Sequence, residues 1–198
     1  MAWDIERTKA LLLTAAAVEF SKKGLAGARV DNIASGAGIS KERIYQYFGN
    51  KEGLFDAVLA AELGSAMDEV PIVGCGPTAM GEFAGRLFEH RTKEDAVSRL
   101  LFWEGLERGD QVADRAARAG TWGSKVDEML KVLPGISRTD AADLLLTVLT
   151  LCGGWHVLPQ VDALLVSDRH DRPSRRKAFV VRVMTIAAEA LLADASRP

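Results

Sequence analysis

The sequence predicts an all-α protein, and three observations carry that prediction. Apolar residues recur at three- and four-residue spacing throughout, with no strand-type alternation. The segments patterned in this way are closed by Gly or Pro, at Gly24, Gly38, Pro71, Gly109 and the pair Pro134-Gly135. Polar residues suited to capping a helix start stand before several of them, among them Ser40, Asn50 and Ser137.

The first helix is expected over residues 4–23, with Leu12, Ala16 and Phe20 as its apolar stripe. Arg7, Lys9, Lys22 and Lys23 lie on its polar side, the last two at a helix end where cations are favourable. Gly24 signals its end, and Gly27 falls in the connection. Residues 29–55, RVDNIASGAGISKERIYQYFGNKEGLF, then read as two short helices joined by a tight turn and the start of a third. Ile33, Ala34 and Ala37 pattern the first of these, and Gly38 stands where the backbone must take a positive φ. Ile39 is expected as a buried plug between the helices. Ser40 is expected to cap the second by accepting the N–H of Glu42 or Arg43. That helix, over 41–48, turns Ile44 and Phe48 inward and leaves Lys41, Glu42, Arg43, Tyr45, Gln46 and Tyr47 largely outward. Such a face is basic, hydrogen-bonding and aromatic, as a reader of the DNA major groove needs. Asn50 caps a longer helix over 51–69, buried through Leu54, Phe55, Val58, Leu59 and Leu63, with Lys51 at its positive end.

Beyond Pro71 the pattern stays helical. Met80, Phe83, Ala84, Leu87 and Phe88 make one amphipathic helix ending near residue 91. Thr92-x-x-Asp95 resembles a capping box for a helix running through Val97, Leu100, Leu101, Trp103 and Leu106 to Gly109. A helix over about 112–133, weakened by Gly120 and Gly123, stops at Pro134-Gly135. Ser137-x-x-Asp140 opens the most hydrophobic helix, and a polar loop over 167–173 leads to a last helix over about 175–193. Leu144, Leu145, Leu146, Val148, Leu149 and Leu151 wrap their helix all round, which calls for cover on every face. A partner subunit or a central position in a monomer would supply it.

Composition bounds the function. The 198 residues, 48% hydrophobic and 26% charged, suit one globular domain or two small ones. The formal net charge is −2, yet between Arg7 and Lys51 eight Lys/Arg face three acids, a local excess of five positive charges. Cys75 and Cys152 form no CxxC or Cys/His cluster, against a disulfide framework or zinc site. The opening residues carry acids and no apolar run, so no signal peptide is expected. The longest uncharged stretch, 144–161, is too polar for a membrane span. A cytoplasmic protein is expected. No nucleotide-binding glycine loop, HExxH or GxSxG is present, and His90, His156 and His170 are scattered. Ser174-x-x-Lys177 has the spacing of one hydrolase motif but none of its companions. Neither an enzyme nor a cofactor or metal is expected.

The string V-x-x-I-A-x-x-A-G-I-S-x-x-x-I-Y-x-Y-F-x-x-K-E-x-L-F at residues 30–55, preceded by F-x-x-x-G at 20–24, resembles the DNA-binding module of the TetR family of transcriptional repressors. That resemblance implies an N-terminal three-helix helix-turn-helix domain over 1–62 and a C-terminal helical effector-binding and dimerisation domain over 63–198. The boundary would fall inside the helix that starts at Lys51, making that helix a lever between the two. Tyr47 and Lys51 match phosphate binders, helped by Ser40 and Arg29. Lys41, Glu42, Arg43, Tyr45 and Gln46 match base readers or their neighbours. Two positions depart from the pattern. Arg29 stands where a hydroxyl residue is usual, which leaves the cap of that helix open, and Arg43 stands where a small residue is usual. The resemblance further implies a homodimer through about 139–158 and 175–193, binding a palindromic double-stranded operator. It also implies an effector cavity among the middle helices, for a small molecule the sequence does not name. Phe102, Trp103, Trp122, Cys152, Trp155 and His156 are candidates to line it, with Gln160 nearby, or else they are core and interface residues. The alternative function is a constitutive DNA-binding dimer that senses no small molecule.

Overall fold

The computed structural model describes residues 2–93 and 96–197, and contains ten helices and no strand among them. They are α1 (Ala2–Gly27), α2 (Val30–Ala37), α3 (Lys41–Phe48), α4 (Lys51–Glu69), α5 (Gly76–Lys93), α6 (Ala96–Arg108), α7 (Arg115–Val132), α8 (Arg138–Val157), α9 (Pro159–Leu165) and α10 (Arg172–Ala195). They group into two compact units, Met1–Ala66 with Ala96–Arg115, and Met67–Asp95 with Ala116–Pro198.

In the first unit, the stripe expected on α1 is buried completely. Leu12, Ala16 and Phe20, with Ile33 of α2, Ile44 of α3, and Leu54 and Phe55 of α4, all have no exposed surface. Phe20 and Phe55 pack edge to face, 5.1 Å between ring centres. Burying one such side chain is worth roughly 1.5–3 kcal/mol, so these few residues hold the small helices in place. Helix α6 also belongs here. Val97 and Leu100 are buried, and Arg99 Nε and Trp103 Nε1 donate to the Ser21 carbonyl of α1 at 2.7 and 3.2 Å. Arg108 pairs with Asp56 of α4, its guanidinium 5.0 Å from the centre of the Phe55 ring. A division near residue 62 would therefore separate α6 from the helices it packs on. Of the expected capping pair before α6, Asp95 lies outside the described residues. The Thr92 hydroxyl donates back to the Phe88 carbonyl at 2.8 Å.

In the second unit, α5 packs against both α8 and α10. Phe83, Leu87 and Phe88 of α5 join Leu145 and Val148 of α8, Met129 of α7, and Val180 and Met184 of α10 in one core. Helices α5 and α10 approach so closely that a Cβ at Gly81 would sit 2.1 Å from Thr185 Oγ1. The cap of α8 forms as expected: Asp140 N donates to Ser137 Oγ at 3.1 Å, and Ser137 N donates to Asp140 Oδ2 at 3.3 Å. Within one chain, however, α8 is not covered on every face. Leu144, Leu145 and Val148 point into the core, while Leu146 is 62% exposed. Helix α9 has no counterpart among the helices expected from the sequence, although Pro159 supplies a helix-start signal. Among the described residues no single helix is long and apolar enough to cross a membrane.

Candidate nucleic-acid interface

The head is assembled from α1 to α4. Arg29 occupies the N-cap of α2 with extended backbone and contributes no side-chain cap. Glu19 of α1 ties the start of α2 to α1 instead. Its Oε1 accepts from the Arg29 backbone N–H at 3.2 Å, from Asn32 Nδ2 at 2.9 Å and from Lys23 Nζ at 3.0 Å. Partial burial pushes this carboxyl up, but the hydrogen bonds from Asn32, Lys23 and Arg29 outweigh it and hold Glu19 below its ordinary value. The arginine found in place of a hydroxyl residue therefore leaves its guanidinium free of capping duty.

Gly38 ends α2 in the left-handed region, at φ 66° and ψ 28°, and turns the chain into α3. Ile39 in this turn is half-buried rather than a fully buried plug. Ser40 sits at the N-cap of α3, but its side chain does not take a backbone N–H as expected. The neighbouring Glu42 carboxylate competes for it. That carboxyl accepts from its own backbone N–H and from the Ser40 hydroxyl, and both hold it below the usual carboxylate range. Asn50 does cap α4, its Oδ1 accepting from Gly53 N at 2.7 Å.

Ile44 anchors α3 with no exposed surface, which leaves Glu42, Arg43, Tyr45 and Gln46 exposed and Lys41, Tyr47 and Phe48 half-buried. Lys41 Nζ pairs with Asp31 of α2 at 2.8 Å; the bond raises the Lys41 pKa and lowers that of Asp31. Arg43 does not pair with Glu42. Its Nη1 donates to Gln46 Oε1 and to the Tyr47 hydroxyl, both at 3.3 Å, with the guanidinium 6.0 Å from the Tyr47 ring centre. Lys9 of α1 stands 6.0 Å from the same ring. Its place on the polar side of α1 gives no sign of this, because no spacing rule links α1 to α3. Lys51 Nζ donates to the carbonyls of Ala26 and Ala28 at 3.3 and 3.4 Å, leaving one of its three donors for another acceptor. The candidate residues thus gather on one small-helix head, and Arg29, Lys41 and Lys51 are held there by partners on other elements.

The candidate pocket residues are divided between the two units. Phe102 and Trp103 belong to α6 in the first unit, while Trp122, Cys152, Trp155 and His156 belong to the second. Trp122 is half-buried on α7 against the core, and His156 is half-buried on α8. Cys152 is buried with Sγ 3.8 Å from the Ala84 carbonyl, and desolvation pushes its thiol up to about 12. Such a group stays protonated and unreactive. Of the six, Trp155 alone lines a cavity of about 340 Å³ between α8, α9 and α10, with Leu151, Leu158, Val161, Leu165 and two arginines, Arg172 and Arg176. Arg172 lies over the Trp155 ring at 5.2 Å and also bonds Asp162. Gln160 is not among the lining residues.

Comparison with known proteins identifies the family. Residues 12–58 match the family model described as bacterial regulatory proteins, tetR family, and residues 79–185 match the tetracyclin repressor-like C-terminal domain. The chain is 36% identical over 170 residues to the HTH-type transcriptional repressor SCO4008 of Streptomyces coelicolor, a match covering 82% of this chain and 85% of that protein. The structure of SCO4942 from Streptomyces coelicolor aligns with a TM-score of 0.70 at 29% identity, over 89% of this chain and 96% of that one. The fold alone is shared with the regulator FadR from Bacillus subtilis, solved in complex with stearoyl-CoA, at a TM-score of 0.66 and 15% identity over 90% and 98% of the two chains. With an exposed, partly basic helix set on a buried head, and both parts of the chain matching, this protein belongs to the tetR family of bacterial regulatory proteins, helix-turn-helix transcriptional repressors.

Proposed function

We propose that this repressor acts in the cytoplasm as a homodimer that grips a palindromic operator and lets go when a small molecule binds. The observation that carries the DNA contact is the outward face of α3, where Lys41, Arg43, Tyr45 and Gln46 surround the buried anchor Ile44. Arg43, Tyr45 and Gln46 present base-reading groups, with Lys41 and Glu42 as neighbours. Tyr47, Lys51, Ser40 and Arg29 take phosphates and set the register. Residues 1–62 carry these contacts, with α6 packed on them, and the remainder of residues 63–198 carries dimerisation and effector binding.

The dimer runs through α8 and α10. Supporting this, Leu146 is 62%, Phe179 46% and Ile186 56% exposed in a single chain, although both helices also bury an apolar face. A small-molecule effector is supported by the cavity at Trp155, within the size range of ligand sites, and by the stearoyl-CoA held by FadR on the same fold. Selection of bound sequences from random duplex DNA, followed by titration of the selected operator, tests the central function. A two-fold symmetric consensus is expected. Equal affinity for selected and scrambled duplexes at physiological salt would refute it.

A further inference from the structure

Helix α1 breaks at Gly24, where the backbone takes φ 71° and ψ −179° inside the helix. At that break the helical bonds from Leu25 and Ala26 back to Ser21 and Lys22 are lost, leaving orphaned groups on both sides. Three side chains of α6 take them over. Arg99 Nε and Trp103 Nε1 donate to the Ser21 carbonyl, at 2.7 and 3.2 Å. Glu107 Oε2 accepts from the N–H groups of Leu25 and Ala26, at 2.8 and 3.0 Å. Arg99, Trp103 and Glu107 are spaced four residues apart, so a single stripe of α6 spans the break. The turn that follows is held at its far end by Lys51 Nζ on the carbonyls of Ala26 and Ala28. A carboxylate thus meets its N–H end and an ammonium its carbonyl end, the arrangement a short helical turn favours. Arg29, the cap of α2, comes directly after it.

We infer that Glu107 is a positioning residue for operator binding: from α6 it fixes the turn that sets where α2 and α3 begin. It touches no DNA. Glu107 faces solvent, so its effect matches that of a helix cap rather than a buried ion. Room for adjustment is small, because a Cβ at Gly24 would already lie 2.3 Å from Glu107 Oε1 and 2.8 Å from the Trp103 ring.

The test compares wild type, Glu107→Ala and Glu107→Gln in the full chain, by operator titration across a range of salt concentrations. The folded fraction of each is followed by circular dichroism at the same temperature. For Glu107→Ala, operator affinity is expected to fall about three- to tenfold, with the salt slope unchanged because no phosphate contact is lost. Glu107→Gln keeps an acceptor oxygen and is expected to recover part of that loss. Amide exchange should quicken at Leu25 and Ala26 in the Ala variant and stay unchanged at Ile33 and Ile44. Operator affinity equal to wild type in Glu107→Ala overturns the assignment. So does a loss that disappears once affinity is corrected for the folded fraction, or a salt slope that falls with it.

Discussion

Replacing Arg43 by alanine is the sharpest probe of the reading face. In the free protein its guanidinium holds two long, solvent-exposed bonds, to Gln46 and Tyr47, each at 3.3 Å. Giving these up costs about 0.5 kcal/mol apiece at most. A bidentate contact with the O6 and N7 of guanine is worth about 1–3 kcal/mol, so after giving up both bonds the net gain is up to about 2 kcal/mol per half-site. At 1.4 kcal/mol per tenfold, Arg43→Ala should weaken one half-site by up to about 30-fold, and a palindrome by roughly the square of that. The loss should fall on one base position in each half-site, where preference relaxes. Binding-site selection with wild type and variant, then titration of single-base operator variants at fixed salt, reads this directly. An unchanged consensus with uniform loss would refute the reasoning and leave Arg43 as an internal brace for Tyr47.

Other substitutions separate the remaining roles. Lys51→Ala should weaken all duplexes by a similar factor and reduce the salt slope by about one unit per head, and a shifted consensus in selection would contradict a backbone role. Ile186→Asp places a carboxylate on a surface 56% exposed in one chain, so the subunit should stay folded by circular dichroism while sedimentation shows monomer and operator binding collapses. Dimer retention would exclude that face. Glu19 has a folded pKa below its ordinary value of 4.5, so its stabilising effect is complete above that value and is lost as pH falls through the lower folded one. Thermal unfolding of wild type and Glu19→Gln should differ at neutral pH and converge under acid; a difference that grows below pH 4.5 would contradict the assignment.

How far the sequence foretold this protein depended on the range of each interaction. The stripe Leu12, Ala16 and Phe20, the turn at Gly38 and the Ser137–Asp140 cap rest on spacing within one element, and all appear as expected. The tie from Glu19 to Arg29 and Asn32 crosses two helices, and no pattern within either announces it. The Ser40 hydroxyl was misassigned because a carboxylate two residues away competes for it. Trp103 looked like a pocket wall, since an aromatic at helical spacing suits either role. Its indole N–H serves the break in α1, a tie between two helices that spacing within one does not announce. Only with α6 laid along α1 does the spacing of Arg99, Trp103 and Glu107 acquire meaning. Helix α9 escaped notice because its apolar residues, such as Leu164 at 87% exposed, follow no buried stripe.

Two reading heads working at once on one operator form the centre of the account. Sedimentation of the protein with a selected palindrome, and with the same palindrome carrying five extra base pairs at its centre, tests it most directly. About five base pairs turn one half-site to the opposite side of the duplex, since half-sites repeat every 10–10.5 base pairs. Two chains per duplex on the first DNA, and loss of tight binding on the second, are predicted. One chain per duplex, or equal affinity for both spacings, would contradict the two-headed mechanism.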